Sequence, residues 1–107
     1  MFSVKGKIWS LERVVSEEAR SPYIRMVVKK KRYDKEFSLC FMIFKESVIE
    51  QYQNKYFAEG DSVDVKFYIK SKQFGDRYYT FMYVDKITVL RKAKGKTLNM
   101  FERNSIA

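Results

Sequence analysis

The stretch Glu59–Val89, EGDSVDVKFYIKSKQFGDRYYTFMYVDKITV, decides how the chain folds. It opens on a turn, Glu59-Gly60-Asp61. Val63, Val65, Phe67 and Ile69 then alternate with Asp64, Lys66, Tyr68 and Lys70. A period of two over this length predicts a half-buried strand. Lys72-Gln73-Phe74-Gly75-Asp76 breaks the pattern, with Gly75-Asp76 as the turn pair. A second strand follows from Tyr78 to Val84 and continues through Ile87 to Val89. The stretch is one hairpin with a basic, aromatic connecting loop. Within its second strand, Thr80, Met82 and Val84 suit the core of a narrow barrel. That choice turns Tyr79, Phe81 and Tyr83 outward, beside Lys66, Tyr68 and Lys70.

The segments before this hairpin supply three more strands and a helix. Residues 2–15 alternate Val4, Gly6 and Ile8 against Lys5, Lys7, Trp9 and Leu11. Gly6 within that strand predicts a bend or a close backbone approach. Trp9 is open to three readings: core, interface or ligand contact. Residues 16–22 form a polar loop ending at Pro22. The second strand, Tyr23–Lys31, points Ile24, Met26 and Val28 inward and Tyr23, Arg25, Val27 and Lys29 outward. Arg32-Tyr33-Asp34-Lys35 makes its turn. The third strand, Glu36–Phe44, is almost continuously apolar, which predicts burial on both faces. Cys40 within it reads as a buried, inert thiol. Ser47-Val48-Ile49-Glu50 has the form of a capping box and predicts a helix over 47–56. The order is strand, strand, strand, helix, strand, strand. An all-β, five-stranded barrel with one short helix between strands 3 and 4 is the oligonucleotide/oligosaccharide-binding (OB) fold; the alternatives are an SH3-like barrel, which lacks this helix, and an open α+β sheet.

Composition narrows the function classes. A chain of 107 residues makes one domain, able to bury roughly two-thirds of its unfolded surface. No apolar run approaches the ~20 residues of a membrane span, and Met1 leads straight into strand-like alternation, so no signal peptide is expected. One cysteine and no histidine leave no ordinary zinc set, no disulfide framework and no common general base. Glu17-Glu18 is a carboxylate pair in a loop with no partner for catalysis. No enzyme, cofactor, metal or small-molecule substrate is expected.

The net charge of +9 is concentrated. Residues 23–35 hold Arg25, Lys29, Lys30, Lys31, Arg32 and Lys35 against Asp34 alone. Residues 91–107 hold Arg91, Lys92, Lys94, Lys96 and Arg103 against Glu102 alone. The rest of the chain is neutral. Two concentrated basic segments in a protein with many aromatics point to a phosphate backbone with exposed bases. The expected division is a barrel over 1–90 and a basic tail over 91–107.

Phe41-Met42-Ile43-Phe44 with Lys45 and a short helix, then Glu59-Gly60-Asp61, then Arg77-Tyr78-Tyr79-Thr80, resembles the bacterial single-stranded DNA-binding protein family. Pro22-Tyr23 at the start of strand two is similar to small OB-fold proteins of Bacteroidetes and their phages. The resemblance covers about residues 4–90. It implies that Phe44, ending strand three, stacks on a base, and that Phe74, between strands four and five, does the same. The family's tryptophan near the start of strand three has no counterpart: Ser38 stands there, beside Phe37. The family's acidic C-terminal tip, which recruits partners, is absent from the basic tail.

These readings converge on a protein that coats single-stranded DNA with little sequence preference, in DNA replication, recombination or repair. Arg25, Lys29, Lys31 and Arg77 are expected on phosphates, and Tyr23, Phe44 and Phe74 on bases. The outward row Tyr79, Phe81 and Tyr83 reads as an oligomer face, a base platform or simple cross-strand pairing, and a homo-oligomer is expected. The expected location is the cytoplasm of a bacterial cell or phage-infected host. Two alternatives remain: a single-stranded RNA-binding module, and a replisome or primosome subunit that binds protein.

Overall fold

A computed structural model describes residues 1–15 and 21–93. Its elements are β1 (Phe2–Val14), β2 (Tyr23–Arg32), β3 (Lys35–Ile43), α1 (Glu46–Gln53), β4 (Ser62–Phe74) and β5 (Arg77–Arg91). They close into a barrel in the order β1-β2-β3-β5-β4. This is the five-stranded OB barrel that the sequence predicts, with its helix between β3 and β4. Glu17-Glu18, and the tail beyond Ala93, lie outside the described residues.

Closure depends on β1 serving two partners. Its first half pairs with β4, from Phe2↔Phe67 to Lys7↔Ser62, and its second half with β2, from Lys7↔Lys29 to Val14↔Tyr23. Gly6 sits where the strand passes from one partner to the other. A Cβ there would lie 2.5 Å from Val28 Cγ1 and 2.9 Å from the Lys29 carbonyl oxygen. The expected close approach is therefore real, and only glycine fits it. The other seam is short: β3 and β5 run parallel and bridge at Met42↔Tyr83.

The core is drawn from the predicted inward sets. Ile8, Ile24, Met26, Val28, Phe41, Ile43, Val63, Val65, Phe67, Val84 and Ile87 are buried in one cluster. The helix adds Val48, with Ile49 and Tyr52 packed alongside, and Phe57 follows. The capping box does not form. Lys45 is the N-cap without a side-chain hydrogen bond, and its carbonyl accepts from the N–H groups of Val48 and Ile49. The helix starts one residue early, so Ser47 is already inside it. Glu46 instead places its charge at the positive end of the helix.

Three more expectations need correction. β3 is buried on one face only: Phe41 and Ile43 are buried, whereas Phe37, Ser38 and Cys40 are exposed. An almost continuous apolar string thus did not mean cover on both sides. Thr80 is exposed and only Val84 of the expected inward trio is fully buried, because the barrel ends before β4 and β5 do. The basic loop around Phe74 is likewise strand: β4 and β5 stay paired out to Phe74↔Arg77 across a two-residue turn. Gly75, with φ of +63°, takes the first turn position, which needs a positive φ in a turn of type II′. Every residue from Tyr68 to Thr80 is exposed. The pair therefore leaves the barrel as a free two-stranded ribbon, about 20 Å long at ~3.3 Å per residue.

Bulges fix which side chains face out. Between Ile8↔Val28 and Ser10↔Val27, Trp9 has no partner. The extra residue restores Leu11 to the inner side, where it packs against the core. Asp85 is the unpaired residue between Lys66↔Lys86 and Phe67↔Val84. It receives the Lys45 ammonium at 3.0 Å on Oδ1 and 3.2 Å on its carbonyl oxygen. That pair ties the end of β3 to β5 beside the barrel's short seam.

Candidate nucleic-acid interface

Cross-strand register gives the two faces of the ribbon opposite characters. On one face the pairs are Tyr68↔Tyr83, Lys70↔Phe81, Lys72↔Tyr79 and Phe74↔Arg77. Each pair sets an aromatic ring against a cation or a second ring. Lys70 Nζ lies 5.7 Å from the Tyr68 ring centre, and Lys72 Nζ 5.9 Å from that of Phe81, within cation–π range. No acidic side chain belongs to these pairs. On the other face the pairs are Ile69↔Met82, Ser71↔Thr80 and Gln73↔Tyr78, all uncharged.

The charged face does not stop at the barrel. Tyr83 tilts against Phe44 at 5.7 Å and an interplanar angle of 52°. Phe44 in turn stacks on Tyr23 at 4.8 Å and 29°. Tyr83 also neighbours Tyr68 at 5.5 Å and Phe81 at 6.2 Å, and at the tip Phe74 meets Tyr79 edge-on at 5.5 Å. The result is an aromatic strip from the start of β2, across the β3–β5 seam, to the ribbon tip. Phe44 is 42% exposed and Phe74 58%, so both present ring surface to solvent.

The strip brings together Tyr23, Phe44, Phe74 and Arg77 with the row Tyr79, Phe81 and Tyr83. The base-facing and oligomer-facing sets of the sequence reading are one surface. Arg25, next on the outer side of β2, is paired with Glu12 at 2.8 Å. The Tyr23 side chain and Glu12 both favour its charged form and raise its pKa. Lys29 and Lys31 lie further along β2, ~20 Å or more from Tyr23 at strand rise. Lys29 is 3.5 Å from Glu36, while among the described residues neither Lys31 nor Arg77 is in an ion pair.

Sequence reasoning missed Lys72 as a neighbour of the outward row and misplaced Lys66. Lys66 pairs with Lys86, beyond the Asp85 bulge, rather than standing beside Tyr83. The signal for Lys72 was present: a two-residue turn at Gly75-Asp76 pairs Phe74 with Arg77 and, counting back, Lys72 with Tyr79.

Among the described residues no group of three or more acidic or cysteine side chains could hold a metal ion. No helix there is long and apolar enough to cross a membrane.

No protein-family model matches the sequence, and no curated protein does. Solved structures do match the fold. The mitochondrial single-stranded DNA-binding protein Rim1 of S. cerevisiae superposes with a TM-score of 0.71 at 20% identity, over 87% of this chain and 95% of that one. The dimeric N-terminal domain of the PriB protein from Thermoanaerobacter tencongensis gives 0.61 at 13%, over 85% and 96%. The Plasmodium falciparum SSB in complex with single-stranded DNA gives 0.56 at 10%, over 83% and 92%. At these identities the likeness is one of fold.

Proposed function

We propose that this chain, which has the OB fold found in single-stranded DNA-binding proteins, itself binds single-stranded DNA with little sequence preference. The observation that carries the reading is the strip from Tyr23 through Phe44 and Tyr83 to Phe74, interleaved with Lys70, Lys72 and Arg77. Any base offers a π-face to such rings, whereas a duplex keeps its faces stacked inside. The cations pair with the phosphates between the bases. The proposed role is binding rather than catalysis, in DNA replication, recombination or repair.

The same strip argues against two copies meeting through the row Tyr79, Phe81 and Tyr83 alone. A facing copy would set Lys70, Lys72 and Arg77 against cations of its own kind. Polyanion binding removes that repulsion. Self-association remains part of the proposal on other surfaces, and sedimentation of a strict monomer at tens of micromolar would remove it.

The test is titration with labelled dT and dA oligomers, matched RNA and duplex, across a salt series. With four to six phosphates neutralised, log affinity for single strands falls against log salt with a slope near ~−3 to −4. A flat salt response, or equal affinity for duplex, would overturn the reading. Tighter binding of matched RNA would replace DNA by RNA as the ligand, since proteins distinguish the two through the 2′-hydroxyl.

A further inference from the structure

Away from the strip, β1 and β2 carry a second basic surface that the proposed function leaves unused. Trp9, the only tryptophan of the chain, stands at the bulge on the outer side of β1 with Lys5 and Lys7, and is 61% exposed. An exposed indole without a partner is an unusual expense of apolar surface. Here it has a cation above it: Lys29 Nζ lies 3.6 Å from the ring centre. Lys7 pairs directly with Lys29 across the sheet, and Lys5 sits two residues back on the same face of β1. Trp9, Lys5, Lys7, Lys29 and Lys31 line one open groove of about 550 Å³ together with Gly6, Lys30, Glu36 and Ser62. Glu36 is the one acid among its lining residues.

We infer that this groove is a second single-strand subsite, with Trp9 stacking one base and Lys5, Lys7 and Lys31 taking the adjoining phosphates. The inference rests on the single-strand reading above and extends it. The two surfaces share a strand: Tyr23, Arg25, Val27, Lys29 and Lys31 follow one another along the outer side of β2. A strand held on the aromatic strip at Tyr23 is led by Arg25 toward the groove. Lys29 serves both functions, polarising the indole in the free protein and pairing with phosphate when a strand arrives. The subsite therefore engages only oligomers long enough to leave the strip.

Because Trp9 is the only tryptophan, its emission reports this groove alone, while anisotropy of a labelled oligomer reports binding anywhere. The experiment uses the full chain with dT oligomers of ~8 nucleotides and about twice that, within the site sizes of single OB domains and just beyond. Both lengths bind by anisotropy, and only the longer one quenches Trp9. Trp9→Ala weakens the longer oligomer roughly tenfold, about one lost stack, and leaves the shorter one unchanged. Lys5→Gln with Lys7→Gln lowers the salt slope by about 1.4 for the longer oligomer only. Unchanged Trp9 emission at saturation with the longer oligomer would overturn the inference and leave the proposed function standing. So would blue-shifted emission before any ligand, which would place Trp9 in an interface between copies. Quenching by duplex or by anionic vesicles but not by the longer oligomer would assign the groove to those ligands and overturn it too. Failure of every oligomer to bind by anisotropy would remove the proposed function itself.

Discussion

Phe44 and Phe74 look alike in sequence, as aromatics next to a polar turn where a strand pattern ends, but differ in what holds them. Phe44 is braced by Tyr23 on one side and Tyr83 on the other, and the neighbouring Lys45–Asp85 pair fixes the backbone at its foot. Phe74 touches Tyr79 at the ribbon tip. Each to alanine is expected to weaken single-strand binding by ~1–3 kcal/mol with the salt slope almost unchanged. Melting separates them: Phe74→Ala leaves the Tm in place, and Phe44→Ala lowers stability by about 1 kcal/mol, the scale of lost aromatic pairing. A loss of ~3–5 kcal/mol would be the signature of a core phenylalanine, which its exposure does not support. Asp61 is the residue whose weight the sequence hid. It is 1% exposed and accepts from the Lys92 ammonium at 3.0 Å and from the N–H groups of Ala58 and Ala93, each at 2.9 Å. Burial pushes its pKa up, but these three donors outweigh it and hold the carboxyl below the ordinary value. Its contribution is thus full above pH ~4, the unfolded value, and is lost as pH falls through the lower folded one. Asp61→Asn is expected to cost about 2 kcal/mol near neutrality, with the gap to the natural protein closing below pH ~4. Denaturant melts at neutral and acid pH check this, and equal neutral stabilities would deny Asp61 the role.

At the scale of elements, the ribbon is where alternation told the truth about faces and nothing about extent. Period two placed Tyr79, Phe81 and Tyr83 on one side correctly. It could not show that the barrel closes at Met42↔Tyr83 and leaves Thr80 beyond the core. Bulges were the second blind spot. Trp9 and Asp85 each shift the register by one, and a pattern read as unbroken assigns Leu11 to the wrong side. Strand order and the inward sets of β2 survived because burial there is complete and the period uninterrupted. The ribbon's cations give a direct test. Lys70→Gln with Lys72→Gln should flatten the salt slope by about 1.4, from ~0.7 per contact, without moving the Tm. Gly75→Val forces a branched residue to a positive φ and should cost more than 1 kcal/mol. Its affinity should fall as well, because Phe74 and Arg77 then lose their register. Unchanged affinity in the glycine variant would mean that the tip is not a contact.

For the whole molecule, the boundary of the barrel lies past the last strand. Lys92 reaches both Asp61 and the Tyr56 carbonyl, so the chain is still docked at Ala93. Truncation after Leu90 should lower the Tm by removing two of the three donors to Asp61. Truncation after Ala93 should keep the Tm while weakening single-strand binding at low salt, since Lys94, Lys96 and Arg103 are lost. Equal melting of the two truncations would separate Lys92 from stability. The divided loyalty of β1 has a consequence in time rather than in space. The hairpins β1–β2, β2–β3 and β4–β5 join neighbours in sequence. The seam from Phe2↔Phe67 to Lys7↔Ser62 joins the first strand to the fourth, the widest separation in sequence of any strand pairing, and bears the largest loop-closure cost. It is expected to form after the folding barrier, where contacts govern how long the native state lasts rather than how fast it is reached. Phe2, stacked on Phe67 at 5.8 Å, tests this: in stopped-flow, Phe2→Ala should speed unfolding and leave the refolding rate unchanged.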